Sequence, residues 1–303
     1  MSVHVLHDFA PPFCEADDPP GLHLALARFG AWRLTPATPK ANWRQSLREE
    51  ARLRVLERDF VERERDGVQD LLAGLPHQPR RFMEWYEHLA LTGPGQNDRL
   101  FPWLAERAGL AAMRWFIAQE AAGEAGFDDL VALTQVKLPT RAKLELARNY
   151  WDEMGHGNPR GMHGPMLEAL VRALGLDPKP HSTVWQSLAL GNLMTALALG
   201  REFAFHSVGA LGVIEMTAPD RAQAVAQGLA RLGVDNTSRH YFELHAVLDR
   251  KHSAHWNREA ILPLVEADPA LIRPIAEGAL MRLAAGARCF ERYRAEFTDA
   301  FGS

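Results

Sequence analysis

From Gly21 onward, apolar positions recur every three to four residues in segment after segment, the period of a helix and not the alternation of a strand. Gly21–Trp32 reads as a short helix, and Thr35–Lys40, with two prolines, as a linker. Asn42 is placed to cap a long helix to about Arg65, with Leu47, Ala51, Val55 and Phe60 near helical spacing. Its dense Arg and Glu suggest i, i+4 pairs on an exposed surface. Asp66-Gly67 breaks it before a short helix ending at Leu72. Pro79–Leu91, Ala105–Glu124, Phe127–Gln135, Thr140–Met154 and Pro165–Leu174 follow, with Gly/Pro-rich breaks at 93–95 and 155–164. Beyond the Asp177–Pro180 linker, Val184–Phe205 is apolar nearly all round and is predicted to be buried. His206–Met216 continues it after a kink and is expected to end at Thr217-Ala-Pro219, with a separate helix over Pro219–Leu232. Asp235 or Thr237 caps a helix over 238–256, and Pro269–Phe297 closes the chain with a kink at Pro274. No convincing strand appears, so the fold class is all-α: a bundle of about seven core helices over 101–303, with a helical N-terminal extension over 1–100 packed on it.

Composition narrows the function classes. Of 303 residues, 47% are hydrophobic and 24% charged, an ordinary globular balance, and the formal net charge of -4 comes without a basic patch, which argues against nucleic acid. Residues 1–20, rich in Pro, Asp and His, read as an irregular lead-in with no basic segment followed by an apolar run. The longest apolar stretch, Leu188–Leu199, is interrupted by Gly191-Asn192 and too short for a bilayer. Cys14 and Cys289 have no metal-like or redox-like neighbours. The expectation is a reduced, cytoplasmic protein with no membrane partner. The charged helix over 42–65 reads as a solvated face, with a homodimer as the alternative.

Candidate chemistry sits in His245-Ala-Val-Leu-Asp249-Arg-Lys-His252. Positions i, i+4 and i+7 of a helix share one stripe, so two imidazoles and a carboxylate point the same way and can share a metal ion. Alone, the motif is equally a solvated helix face. Other helices supply matching donors: Glu120 among Phe116, Ile117, Ala121 and Ala122; a Glu153-x-x-His156 pair; and Glu215, the single charge in Gly209–Met216. A carboxylate in such apolar company needs a partner if buried. Four carboxylates and three imidazoles suit two carboxylate-bridged iron ions better than one zinc. His163 and His255 lie off these stripes and read as hydrogen-bonded or surface histidines, and Asp152 as solvated or paired on another face. Gly155, Gly157, Pro159 and Gly161 weaken the helix beside the Glu153/His156 pair, so this segment is expected to be ordered partly by metal. Trp115, Phe116, Trp151, Phe205 and Phe242 read mainly as core, one or two of them walling a pocket.

At these residues the chain resembles the heme-oxygenase-like di-metal oxidases and oxygenases, the iron-containing redox enzymes. The likeness lies in the order Glu120, Glu153-x-x-His156, Glu215, His245-x3-Asp249-x2-His252. It extends to Gln119-Glu120, Asn149-Tyr-Trp-Asp-Glu-Met-Gly-His156 and Gly209-Ala-Leu-Gly-Val-Ile-Glu215, and covers roughly Ala105–Phe297. The resemblance implies a seven-helix bundle with two Fe2+ ions and dioxygen as co-substrate. By it, Glu120 and His156 would join one of the His245/Asp249/His252 donors on one iron, while Glu153 and Glu215 bridge or complete the second. It implies a small-molecule substrate, most simply an amine or amino acid, undergoing N-oxygenation or oxidative C–N or C–C chemistry, with an external electron donor where one is needed. The alternatives are fatty-acid decarboxylation or desaturation on the same site, a heme-binding relative, and a non-catalytic metal-binding bundle.

Overall fold

The computed structural model describes residues 18–39, 41–123 and 126–302; Cys14, the lead-in through residue 17, Lys40 of the first linker and Glu124 lie outside them. The first helix, α1 (Pro19–Leu34), begins where Asp18 accepts the Gly21 N–H at 3.2 Å, with proline in the first turn where no helical partner is lost. It lays Leu22, Leu26 and Phe29 against a later apolar helix. The charged helix α2 (Trp43–Asp66) carries the expected i, i+4 pairs, Arg54 with Glu50 and Arg58 with Glu62. Its buried stripe is Leu53, Phe60 and Val61, whereas Leu47 and Val55 of the predicted stripe face solvent. Arg33 on α1 pairs with Glu57 on α2 and ties the two together.

α3 (Pro79–Thr92), α4 (Leu100–Glu106) and α5 (Leu110–Gly123) follow. The single helix predicted from Ala105 is broken at Arg107–Gly109, where the Arg107 and Ala108 N–H groups both close on the Trp103 carbonyl. Next come α6 (Phe127–Thr134), α7 (Thr140–Glu153), α8 (His163–Ala173) and α9 (Trp185–Leu199). α9 is buried on almost every side, as its all-round apolarity requires, and stops at Gly200, so the long Val184–Phe205 helix is shorter than predicted.

The centre of the molecule is α10 (Ala204–Arg231), packed on α11 (Asn236–His255) and on α13 (Ile272–Glu296), which follows the short α12 (Leu262–Ala267). Two glycines set its approach to α13. A Cβ on Gly209 would stand 2.0 Å from the Ile275 carbonyl oxygen, and one on Gly278 1.9 Å from that of His206. The backbones therefore touch where side chains would hold them apart. α10 runs through Pro219, where a break was predicted. The ring removes only the hydrogen bond to the Glu215 carbonyl, and burial on both flanks outweighs that loss. The Pro274 kink is also absent: that residue lies in the first turn of α13, a position proline tolerates. After His255 the helix widens into a π turn over Trp256–Ile261, with Trp256 fully buried and donating to the Val208 carbonyl at 3.1 Å.

Residues of the first hundred, among them Leu26, Phe29, Phe60 and Tyr86, share one apolar core with α9, α10 and α13. A second core joins Phe101, Phe116, Val225 and Phe290. Among the described residues the secondary structure is helical, with no strand, and no single helix is long and apolar enough to cross a membrane.

Candidate metal centre

α11 starts where Asp235 accepts the Ser238 N–H at 3.0 Å, and this cap fixes the phase of the His245, Asp249 and His252 stripe. Asp249 and His252 are buried. His245 donates Nδ1–H to the Tyr241 carbonyl at 2.7 Å, one turn back, which leaves Nε2 with a lone pair. The last residue of α7, Glu153, is 3% exposed and comes from one side; Glu215 of α10 is 2% exposed and comes from beneath. Asn149, one turn before Glu153, donates to Glu215 Oε1 at 2.6 Å and so holds that carboxylate in place.

Two groups of donors result. Glu153, His163 and His245 form one, and Glu215, Asp249 and His252 the other; within each group, one donor atom per residue lies within 4.8 Å of the others. His163 Nδ1 stands 2.6 Å from Glu153 Oε2, its ring edge-on to His245 at 4.6 Å. His252 turns Nδ1 toward Glu215 Oε2 at 3.4 Å, while its Nε2 meets Asp152 Oδ2 at 2.9 Å. A carboxylate behind a ligating imidazole fixes its tautomer and raises its basicity.

The electrostatics of the cluster are those of a cation site. Burial, then the Glu215 charge, pushes Glu153 from the ordinary 4.5 to about 9. Burial, with Glu215 and Glu153, likewise drives Asp249 upward. Burial holds His163 and His245 down near 4, His252 adding to the effect on His163 and His163 to that on His245. His252 goes the other way, to about 9: burial lowers it, but the Glu215 and Asp152 carboxylates outweigh burial. Three buried acids, Glu153, Glu215 and Asp249, thus crowd together with three imidazoles. The buried Nδ1 atoms of His163 and His252 face the Glu153 and Glu215 carboxylates, at 2.6 and 3.4 Å, without hydrogen-bond geometry. Such a set is unfavourable by itself and could hold a metal ion; oxygen and imidazole donors of this kind suit iron.

The structure gathers five of the seven sequence candidates: Glu153, Glu215, His245, Asp249 and His252. Glu120 and His156 belong to neither group. The reason for His156 is local. α7 ends at Glu153, Gly155, His156 and Gly157 all take positive φ, and so the i, i+3 relation never forms. Gly155 is required there, since a Cβ would stand 2.3 Å from Gly161. The His156 ring turns outward, 68% exposed, onto Asp152 Oδ1. His163, set aside in the sequence as off-stripe, is 4% exposed and enters the cluster from the start of α8. Its signal was the Gly/Pro loop itself: a helix ending at Glu153 returns through nine residues and delivers the next buried imidazole. Asp152, expected to be solvated or paired, is paired: it joins His156 to His252.

Glu120 lies along a cavity of about 190 Å³ that opens beside the cluster. It accepts a hydrogen bond from Tyr293 at 2.8 Å, and its burial raises its pKa. Phe116 and Phe242 line this cavity, as do Glu153, His163, Glu215, His245 and Asp249; Trp151, by contrast, is 52% exposed.

The comparisons fit this geometry. No match is found among curated proteins. The family model of the iron-containing redox enzymes matches residues 114–287, a span that runs from α5 through most of α13 and includes every donor of both groups. That match covers more than half the chain, and the all-helical fold with its buried carboxylate–imidazole cluster agrees with it: the protein belongs to the iron-containing redox enzyme family of the heme-oxygenase-like superfamily, and is an oxidoreductase.

Proposed function

We propose that this protein is a non-heme diiron oxidase or oxygenase that uses dioxygen on a small amine or amino-acid-type substrate. The observation that carries the reading is the pair of adjoining donor groups. Glu153, His163 and His245 would hold one iron, and Glu215, Asp249 and His252 the other. Three carboxylates against three imidazoles balance much of the charge of two Fe2+ ions. Bound there, the iron pair supplies the electrons and open coordination positions that dioxygen chemistry needs.

The chain's own residues do the rest. Asn149, Asp152 and the Tyr241 carbonyl orient Glu215, His252 and His245, so the donors are set before metal arrives. Phe116, Phe127, Ile214 and Phe242 wall the cavity and keep bulk water from the reacting end. At about 190 Å³ the cavity is smaller than the roughly 300–1,000 Å³ of drug-sized pockets, which favours a compact metabolite over a long acyl chain. Heme is disfavoured by the same cluster, because a heme cleft needs one proximal histidine in apolar surroundings.

The test is anaerobic iron loading with metal analysis, followed by oxygen uptake with amines, amino acids and fatty acids. Two irons per chain and substrate-dependent oxygen consumption are expected. Iron below one per chain, or a Soret shift on heme titration with no iron uptake, sinks the reading.

A further inference from the structure

The outer face of α7 carries side chains that neither the core nor the donor cluster uses. Leu144, Arg148 and Trp151 stand at i, i+4 and i+7, one stripe of the helix, and all three are more than half exposed. A lone exposed apolar residue means little. Here a tryptophan and an arginine, the residues most enriched where proteins bind one another, share one stripe with a leucine.

The charged side chains that α7 exposes beside this stripe are positive. Arg141 and Lys143 are exposed, whereas Glu145 and Glu153 are buried and Asp152 is turned toward two histidines. Arg141 is tempered by Glu259 at 2.8 Å and by the field of Glu266. Arg148 answers the buried Glu145 and presents its guanidinium to solvent, so the partner that fits this face is an acidic one.

The same face leads inward to the donors. The Trp151 ring lies beside that of His156, 6.4 Å between centroids, and Asp152 is the next residue in the chain. One Asp152 oxygen meets the exposed His156 at 2.5 Å, and the other meets the buried His252 at 2.9 Å. His252 belongs to the Glu215/Asp249/His252 group. Electron transfer falls steeply with distance through space and is favoured along such a bonded path. Trp151, Asp152, His156 and His252 all lie outside the cavity lining, so this approach to the cluster is separate from the one a substrate would take.

We propose that the outer face of α7 is the docking surface of an acidic one-electron carrier protein, which returns the iron pair to Fe2+ by way of Trp151, Asp152 and His252 while the cavity stays free for substrate. Each carrier gives up one electron and each Fe3+ takes up one, so two carriers are oxidised for each pair of irons. Encounters of this kind are small and weak, and are steered by charge. The inference rests on the proposed diiron reading for the destination of the electrons; the docking is measurable without it.

Full-length iron-loaded protein is titrated calorimetrically with oxidised plant-type [2Fe–2S] ferredoxin, an acidic carrier, at about 0.02 and about 0.3 M salt. Saturable binding is expected at low salt, weakened at least tenfold at high salt. Lys143→Glu and Trp151→Ala should each weaken it at least fivefold at unchanged iron content. In anaerobic stopped flow, ferric protein should reoxidise two reduced ferredoxins per chain, and Trp151→Ala should slow this at least tenfold. Dithionite, a small reductant that needs no docking face, should reduce that variant and wild type at the same rate. No saturable binding, binding indifferent to salt or to Lys143→Glu, or a Trp151→Ala defect that dithionite shares overturns the proposal. So does a wild-type chain that sediments as a dimer where Trp151→Ala sediments as a monomer, which gives the face to a second copy. Lys143→Glu, a surface change, keeps the proposal exposed if Trp151→Ala fails to fold. Iron uptake below one per chain sinks the diiron reading, and ferredoxin binding that still depends on Lys143 then leaves the docking surface standing.

Discussion

Glu153→Gln should make the metal-free protein more stable and the iron-loaded protein less so. Glu153 is buried beside Glu215, and its carboxyl is pushed from 4.5 to about 9. At pH 7 it is ionised in the unfolded chain and protonated in the folded one. Taking up that proton costs 2.303RT times the gap between pH 7 and the unfolded pKa of 4.5, about 3.4 kcal/mol. Glutamine is already neutral, nearly isosteric, and places an amide beside the His163 Nδ1 that Glu153 approaches at 2.6 Å. The variant should therefore gain on the order of 3 kcal/mol without metal. With an unfolding entropy of ~2.1 cal/mol/K per residue over this 303-residue chain, that is about 5 °C in Tm. Iron reverses the order: at a free concentration near a thousandfold its Kd, wild type gains about 4.1 kcal/mol per site, and a variant lacking one donor gains little. Differential scanning calorimetry in chelator and in anaerobic Fe2+ reads both halves. A chelated variant that melts below wild type, or one that gains as much from iron as wild type, refutes the reasoning.

Other consequences are checked more briefly. Metal-free protein should lose stability as pH rises from 6.5 to 9: Glu153 and His252 both have folded pKa values near 9, raised above their unfolded values, so the folded state binds more protons across this window. His163 and His245, neutral when folded, are about half protonated in the unfolded chain at pH 6.5 and oppose the trend only at that lower edge, without reversing it; urea midpoints that climb over the window would contradict it. His163→Ala should lose one equivalent of iron while His156→Ala retains both, a direct comparison by metal analysis that would fail if His156 proved the essential one. Asp152→Asn should weaken iron binding by about 10–100-fold through His252 without changing stoichiometry, and native affinity would remove Asp152 from that role. Gly278→Ala should destabilise by about 3 kcal/mol, because its Cβ would stand 1.9 Å from the rigid His206 carbonyl oxygen; a urea midpoint shift below a third of that would mean α10 and α13 can part cheaply.

What the sequence determined by itself follows from periodicity along one helix. The stripe of His245, Asp249 and His252 was legible because all three sit on one uninterrupted helix with a clear cap at Asp235. Glu215 was legible because a lone carboxylate in an apolar run must be satisfied by something distant. The all-helical class followed from the same repeat, and so did the burial of α9. Misreadings came where two local rules compete. Pro219 reads as a stop, yet packing on both sides of α10 carries the helix through it. Residues 153–156 read as a helical pair, yet the glycines that flank His156 end the helix first and turn its ring to solvent. Only the tertiary structure decided which histidine joins Glu153, since His163 returns to it through a loop whose path no periodicity encodes. The same holds for Glu120. Its apolar neighbours showed that it needs a partner, and the packing of α5, α10 and α13 sets it on Tyr293, within the field of Arg282 and Arg221. Short-range spacing specifies which face of a helix a donor occupies; which helices bring their faces together is set by long-range burial, and that choice made the site.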